Sequence, residues 1–209
     1  YMNGVIDIET TPNNLYVKFP SPFVHKRLFN YFSGELFTEM GRLVDPFDNL
    51  DDGITEKQLY LPNLITRYQQ YLSKNSEWLF KDAPRRRKDL RIREAVYHFT
   101  FYMYLHKLLH RKGARVWPEF PTGNGKVDIL ITYQDHLYAI EVKSFANITE
   151  YQEALTQAAR YGKHLHLTTI TLVFFIESID EENRNTYEAE YVDKPTGVTV
   201  KPVFVETGM

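Results

Sequence analysis

The chain has 209 residues, 43% of them hydrophobic and 15% aromatic, which is enough to bury a sizeable core and excludes wholesale disorder. Charged residues make up 25% and sum to a formal −2, so a uniformly basic nucleic-acid coat protein is excluded, although a local basic face is not. Cysteine is absent, which removes disulfide frameworks, thiolate zinc sites, iron–sulfur clusters and a thiol nucleophile.

In chain order, Val5–Ile8 and Leu15–Phe19 alternate in polarity around Thr11-Pro12-Asn13-Asn14 and predict a hairpin. Ser21-Pro22 is a helix start, with proline at the first helical position, and the helix is expected to reach Phe32. Asp45–Gly53 reads as loop. Thr55 to about Leu72 reads as helix, with Pro62 as a break or a start. Asp89–Lys112 predicts a long helix with Ile92, Val96, Phe99, Met103 and Leu108 on its core stripe, stopped by Gly113. The period then changes to strands at Ala114–Phe120, Lys126–Tyr133 and His136–Lys143. A helix over Thr149–His164 follows, then a strand at Thr168–Ile176 apolar enough to be central, then weaker strands at Glu188–Val192 and Val198–Val205. This order predicts an α/β fold, a mixed sheet with helices packed on it. Residues 1–80 are expected to form a hairpin and helical connector, and 81–209 the main domain. No apolar run approaches the ~18 residues of a membrane span. The absence of cysteine fits the expected cytoplasmic location, and Tyr1-Met2-Asn3-Gly4 lacks the basic-then-apolar pattern of a secretory leader; the Tyr before Met2 is expected of a segment from a longer chain.

Charge is unevenly spread. Glu35–Glu56 holds seven acids against Arg42, Lys81–Arg115 eleven bases against three acids, and Glu177–Glu190 six acids against Arg184, so a basic middle lies between acidic flanks. Within that middle, Arg85, Arg86, Arg87, Lys88 and Arg91 could track a phosphate backbone; the plainer alternative is a solvated loop and helix start.

The stretch that carries chemistry is Gly125–Lys143. With Gln134-Asp135 as a two-residue turn, Val127 faces Val142, Ile129 faces Ile140 and Ile131 faces Tyr138, an apolar core face. On the other face Thr132 meets Leu137, Leu130 meets Ala139, and Asp128 meets Glu141. Gln-Asp is not a favoured turn pair, and a longer loop with a bulge is the alternative. Two carboxylates opposed in this way, with Cβ atoms roughly 4.5–5.5 Å apart, destabilise a sheet unless something binds between them. Magnesium takes one or two carboxylates and shares its remaining positions with water and phosphate. Lys143, two residues beyond Glu141, points to the same face. Two hard oxygen ligands and an ammonium suit metal-assisted hydrolysis of a phosphodiester. The bland reading of the same three residues is a solvated strand end with a surface ion pair.

Asp128 and Glu141-Val142-Lys143 resemble the motif of the PD-(D/E)XK nuclease superfamily, and the element order from Asp89 to Ile176 is similar to its restriction-endonuclease-like core: helix, antiparallel three-strand meander, helix, strand. Val127 stands where the family's motif has proline. The resemblance implies that Asp128, Glu141 and the backbone carbonyl of Val142 hold Mg²⁺ or Mn²⁺ and that Lys143 acts as base or charge stabiliser. Glu94, on the helix before the meander, would add to the metal site by the same resemblance; otherwise it is a carboxylate favoured in a first helical turn. Gln157-Ala-Ala-Arg-Tyr161 is similar to the Q-x-x-x-Y motif of the RecB-like branch, and a four-residue spacing puts Gln157 and Tyr161 on one helix face. The segment around Gly4–Ile6 and Phe19–Ser21 resembles the region joining such nuclease domains to AAA-like ATPases in bacteria, which implies an ATPase domain outside this chain; no Walker lysine motif is present. The expected function is a metal-dependent nuclease with DNA the expected partner ahead of RNA. The competing reading is a non-catalytic nucleic-acid-binding or interaction module on the same fold. Glu119, near the end of the first meander strand, and His98, one turn after Glu94, are weaker candidates that structural roles would also explain.

Overall fold

In a computed structural model of the chain, the strands expected between 114 and 143 form an antiparallel meander of β3 (Arg115–Thr122), β4 (Gly125–Tyr133) and β5 (His136–Ser144). It follows β1 (Asp7–Thr11) and β2 (Asn14–Lys18) in the chain. The structure describes residues 7–11, 14–18, 52–81, 83, 85–87, 91–110, 112–122 and 125–208. The helix expected from Ser21 to Phe32 and most of the Asp45–Gly53 loop lie outside them. The chain divides into compact units Tyr1–Asp45 and Pro46–Met209. In the first, β1 and β2 form the expected antiparallel hairpin, from Asp7 opposite Lys18 to Thr11 opposite Asn14.

The second unit is built on a six-stranded mixed sheet in the order β3-β4-β5-β6-β8-β7, with β6 at Thr169–Ile176, β7 at Tyr191–Asp193 and β8 at Val198–Glu206. β5, β6 and β8 run parallel, and β7 closes the edge antiparallel to β8. β6 is central as its composition implies: it has a parallel neighbour on each side, and Ile170 to Phe175 are all buried. Strands covered on both faces read as continuous apolar runs. With the helices that flank it, this is the restriction-endonuclease-like α/β arrangement.

α1 (Leu61–Phe80) starts later than Thr55 and ends later than Leu72. Pro62 lacks an N–H and fits only the first turn. Residues 55–58 instead turn back on themselves, with Thr55 Oγ1 accepting from Gln58 N at 3.1 Å, and Ile54 bridges Leu59. α2 (Glu94–His110) likewise starts five residues after Asp89, because Ile92 pairs with Arg85 in an isolated bridge and is buried there. The expected stripe is only partly right. Met103 and Leu108 are buried, but Val96 and Phe99 are half-buried, while Tyr97, Phe101, Tyr102, Tyr104, Leu105 and Leu109 are buried. A helix buried over so much of its circumference shows no single apolar face. Tyr97 stacks on Phe175 of β6 at 4.6 Å between ring centres, and Tyr68 of α1 packs on Phe101 and Phe175.

The opposite face of the sheet carries α3 (Ile148–His164), capped by Asn147, whose side chain accepts from Glu150 N at 2.9 Å. Ala154, Leu155, Ala158 and Ala159 pack on Leu130, Ala139, Leu172, Phe174 and Phe204. Small residues let α3 approach closely: a Cβ at Gly162 would lie 2.8 Å from Val198 Cγ1. α4 (Glu181–Tyr187) is a short helix the sequence reading did not foresee. Asp180 caps it by accepting from Asn183 N at 2.8 Å, and the strand expected at Glu188–Val192 is confined to Tyr191–Asp193.

Candidate active site

The β4–β5 register follows the hydrophobic pattern. Ile129 opposes Ile140, Leu130 Ala139, Ile131 Tyr138 and Thr132 Leu137, and Tyr133 pairs with His136 across the Gln134-Asp135 turn. Gln134 takes the positive φ, 49°, that a tight hairpin turn requires. The expected continuation fails at the carboxylates. The ladder stops at Ile129–Ile140, and Asp128 Oδ2 accepts from Val142 N at 2.7 Å, so a side chain replaces a strand carbonyl there. From Ile140 onward β5 is paired with β6, which holds Glu141, Val142, Lys143 and Ser144 while β4 peels away.

Glu141 is only 2% exposed. Its Oε1 accepts from Lys143 Nζ at 2.9 Å, and its Oε2 is buried with no hydrogen-bond partner. Burial above all, and then the Asp128 charge, push the Glu141 carboxyl up from the ordinary carboxylate range, with Lys143 opposing. Burial alone would lower the Lys143 ammonium, but the charges of Glu141, Glu94 and Asp128 outweigh it and hold the proton on more firmly than usual. Glu94, in the first turn of α2, ties the group together: Oε1 lies 3.5 Å from Lys143 Nζ, and Oε2 accepts from Ser144 N at 3.2 Å.

One turn on, His98 Nε2 lies 2.9 Å from the Asp128 carbonyl oxygen. A carbonyl only accepts, so Nε2 carries the proton in this contact. Glu94 and His98 thus reach β5 and β4 from one helix face, and their four-residue spacing was the sequence signal for the pair.

Gln157 and Tyr161 share a face of α3, and Gln157 Nε2 donates to Tyr161 OH at 2.9 Å. The Tyr161 ring lies against the start of β4, where a Cβ on Gly125 would come within 2.6 Å of it. Among the described residues neither side chain bonds to the acid–lysine group. Glu119 has a φ of 46° and pairs with exposed Lys126 at 3.1 Å; in the β3–β4 register it stands level with Asp128, between the Pro118–Ile129 and Phe120–Val127 pairs. Of the basic run, Arg85 and Arg87 are exposed, Arg86 and Arg91 half-buried, and Lys88 lies outside the described residues. Arg91 Nη1 donates to Phe145 O at 2.6 Å, and Arg86 N to Arg91 O at 2.7 Å, which folds the run back beside the end of β5.

Among the described residues no three Asp, Glu or His side chains converge as a complete metal cage. The donor set nevertheless fits a divalent cation that keeps much of its water: two adjacent carboxylates, one with a buried, unsatisfied oxygen. A model of the PD-(D/E)XK nuclease superfamily matches residues 92–188, a span from the start of α2 to the end of α4 that contains Glu94, Asp128, Glu141, Lys143, Gln157 and Tyr161. No curated protein and no solved structure matches the chain. Nucleases of this superfamily generally use divalent metals, and the match suggests that chemistry for this chain.

Proposed function

We propose that the protein is a metal-dependent nuclease that hydrolyses phosphodiester bonds, with DNA the substrate ahead of RNA. The observation that carries this reading is Glu141 Oε2, a buried carboxylate oxygen without a donor beside a second carboxylate. Lys143 reaches only the other oxygen, and a buried polar atom left without a partner costs stability, which a bound cation at Oε2 would relieve. Asp128, Glu141 and the Val142 carbonyl would hold Mg²⁺ or Mn²⁺. When bound, the cation would polarise the scissile phosphate and make water a stronger nucleophile.

The remaining roles belong to the chain itself. Lys143, with Nζ 2.9 Å from Glu141 Oε1 and 3.5 Å from Glu94 Oε1, would either stabilise charge at the phosphoryl oxygens or take a proton from the attacking water. Glu94 orients Lys143 and pins the backbone at Ser144. Gln157 and Tyr161 form a bonded pair that would position the substrate strand, in keeping with a RecB-like branch. The basic turn at Arg85–Arg91 would contact backbone phosphates.

The test is digestion of linear, circular and single-stranded DNA and of RNA with Mg²⁺ or Mn²⁺, and with chelator. Cleavage that requires the metal and is abolished in folded Asp128→Ala and Lys143→Ala proteins is expected. Equal activity in those variants overturns the assignment, and nucleic-acid binding without cleavage favours the non-catalytic module.

A further inference from the structure

The β3–β4 ladder keeps one register from Arg115 opposite Thr132 to Thr122 opposite Gly125, and it skips a single pair, Glu119 opposite Asp128. No residue is inserted on either strand, yet both strands change face there. Trp117 and Phe120 both pack against the core beneath α3, and so do Val127 and Leu130 of β4. Residues so spaced on a regular strand point to opposite faces, and unbroken alternation would have put Val127 on the face of Ile129.

On β3 the change of face is made at Glu119. Its φ of 46° lies in the left-handed region, which a residue with a Cβ takes at a cost and glycine takes freely. It stands in Pro118-Glu119-Phe120-Pro121, where neither proline has an N–H to give to β4. The Glu119 carboxylate pairs with exposed Lys126 at 3.1 Å. An exposed ion pair is worth little, whereas strained backbone at a residue other than glycine persists only where the surrounding structure imposes it. Across the ladder stands Asp128, which is out of both of its ladders: β3–β4 skips it, and β4–β5 stops at Ile129–Ile140. The groups this frees are used in the site. The Asp128 carboxylate takes the Val142 N–H of β5 at 2.7 Å, and its carbonyl meets His98 Nε2 at 2.9 Å. Local breaks of a ladder beside active sites re-aim side chains in this way.

We propose that Glu119 is a positioning residue for Asp128. Its left-handed backbone lets β3 change face in step with β4, which keeps Asp128 out of the ladder and its carboxylate on the Val142 N–H. The role belongs to the backbone conformation, and the Glu119 carboxylate is not a further ligand of the cation. The proposal rests on the nuclease reading only for the use made of Asp128. A residue at 119 that insists on extended backbone would draw Asp128 back into pairing with β3 and away from Val142.

The experiment compares the parent, Glu119→Val and Glu119→Gly by native-state amide hydrogen exchange without metal and by calorimetric titration with Mn²⁺. The β-branched valine favours extended backbone, and glycine accepts the left-handed region. Glu119→Val is expected to speed exchange at Val142 by about tenfold relative to its β6 partner Val173, which reports opening of the sheet as a whole. It is also expected to weaken Mn²⁺ binding by about tenfold, the scale for residues that orient metal ligands. Glu119→Gly is expected to match the parent within about twofold in both measurements. A folded Glu119→Val protein with parental exchange at Val142 overturns the proposal. So does a Glu119→Gly protein as impaired as the valine variant or, should the valine variant not fold, one whose Val142 exchange is about tenfold faster than the parent's, because the carboxylate would then be what matters. A parent that binds no Mn²⁺ overturns the nuclease reading and leaves the metal-free exchange comparison to decide the role of Glu119.

Discussion

The Asp128 carboxylate accepts a hydrogen bond from the Val142 backbone N–H at 2.7 Å, across the point where the β4–β5 ladder ends. One side chain thus does two jobs: one oxygen closes the sheet, and the carboxylate's charge bears on Glu141. The two jobs separate by mutation. Asp128→Asn keeps a carbonyl oxygen for Val142 and is expected to fold with near-parental stability while losing metal-dependent cleavage. Asp128→Ala leaves a buried N–H unpaired and is expected to lose about 1–3 kcal/mol as well. Thermal unfolding run beside the digestion assay distinguishes them; equal melting temperatures would refute the structural half.

Glu141 gives a pH dependence with a definite sign. Its carboxyl is raised in the fold, so the native state binds the proton more tightly than the unfolded chain. Its contribution to the stability of the metal-free protein is therefore present at low pH and declines as pH rises from the ordinary glutamate range through the raised value. Glu141→Gln should flatten that decline in the metal-free melting temperature, on top of a pH-independent cost for taking away the 2.9 Å partner of Lys143. Added Mn²⁺ should stabilise the parent and not the variant. A variant whose metal-free melting temperature falls with pH as steeply as the parent's would contradict the role of burial.

His98 is expected to act through Asp128. Donating to the Asp128 carbonyl, it steadies the backbone that carries the carboxylate. His98→Leu should raise the Mn²⁺ concentration needed for half-maximal cleavage by about tenfold, the scale seen for residues that orient metal ligands. His98→Gln, which retains a donor, should recover part of it. Equal effects of the two substitutions would reduce His98 to packing.

Gly125 and Tyr161 are expected to be coupled. A methyl group at residue 125 would sit 2.6 Å from the Tyr161 ring, so Gly125→Ala must push the ring or the start of β4 aside. Its cost should shrink when Tyr161 is already Ala, with a coupling energy of about 0.5–3 kcal/mol from the double-mutant cycle of melting measurements. Additive effects would mean that the ring yields freely.

What could be read without coordinates was whatever depends on neighbours along the chain. Two-residue alternation through Lys126–Tyr133 and His136–Lys143 set the hairpin register, because any slip would carry Asp128 and Glu141 to the apolar face. Helical spacing put Gln157 beside Tyr161, and the unbroken β-branched and apolar run of Thr169–Ile176 marked a central strand. What the sequence left open depends on chain segments tens of residues apart meeting. The end of the ladder at Ile129–Ile140 follows from β5 turning to pair with β6, and the burial of Glu141 from packing on both faces of the sheet. The contacts of Glu94 with Ser144 and of His98 with Asp128 follow from where α2 starts. Local periodicity fixes which way a side chain points; only packing decides whether water, another charge or nothing stands in front of it.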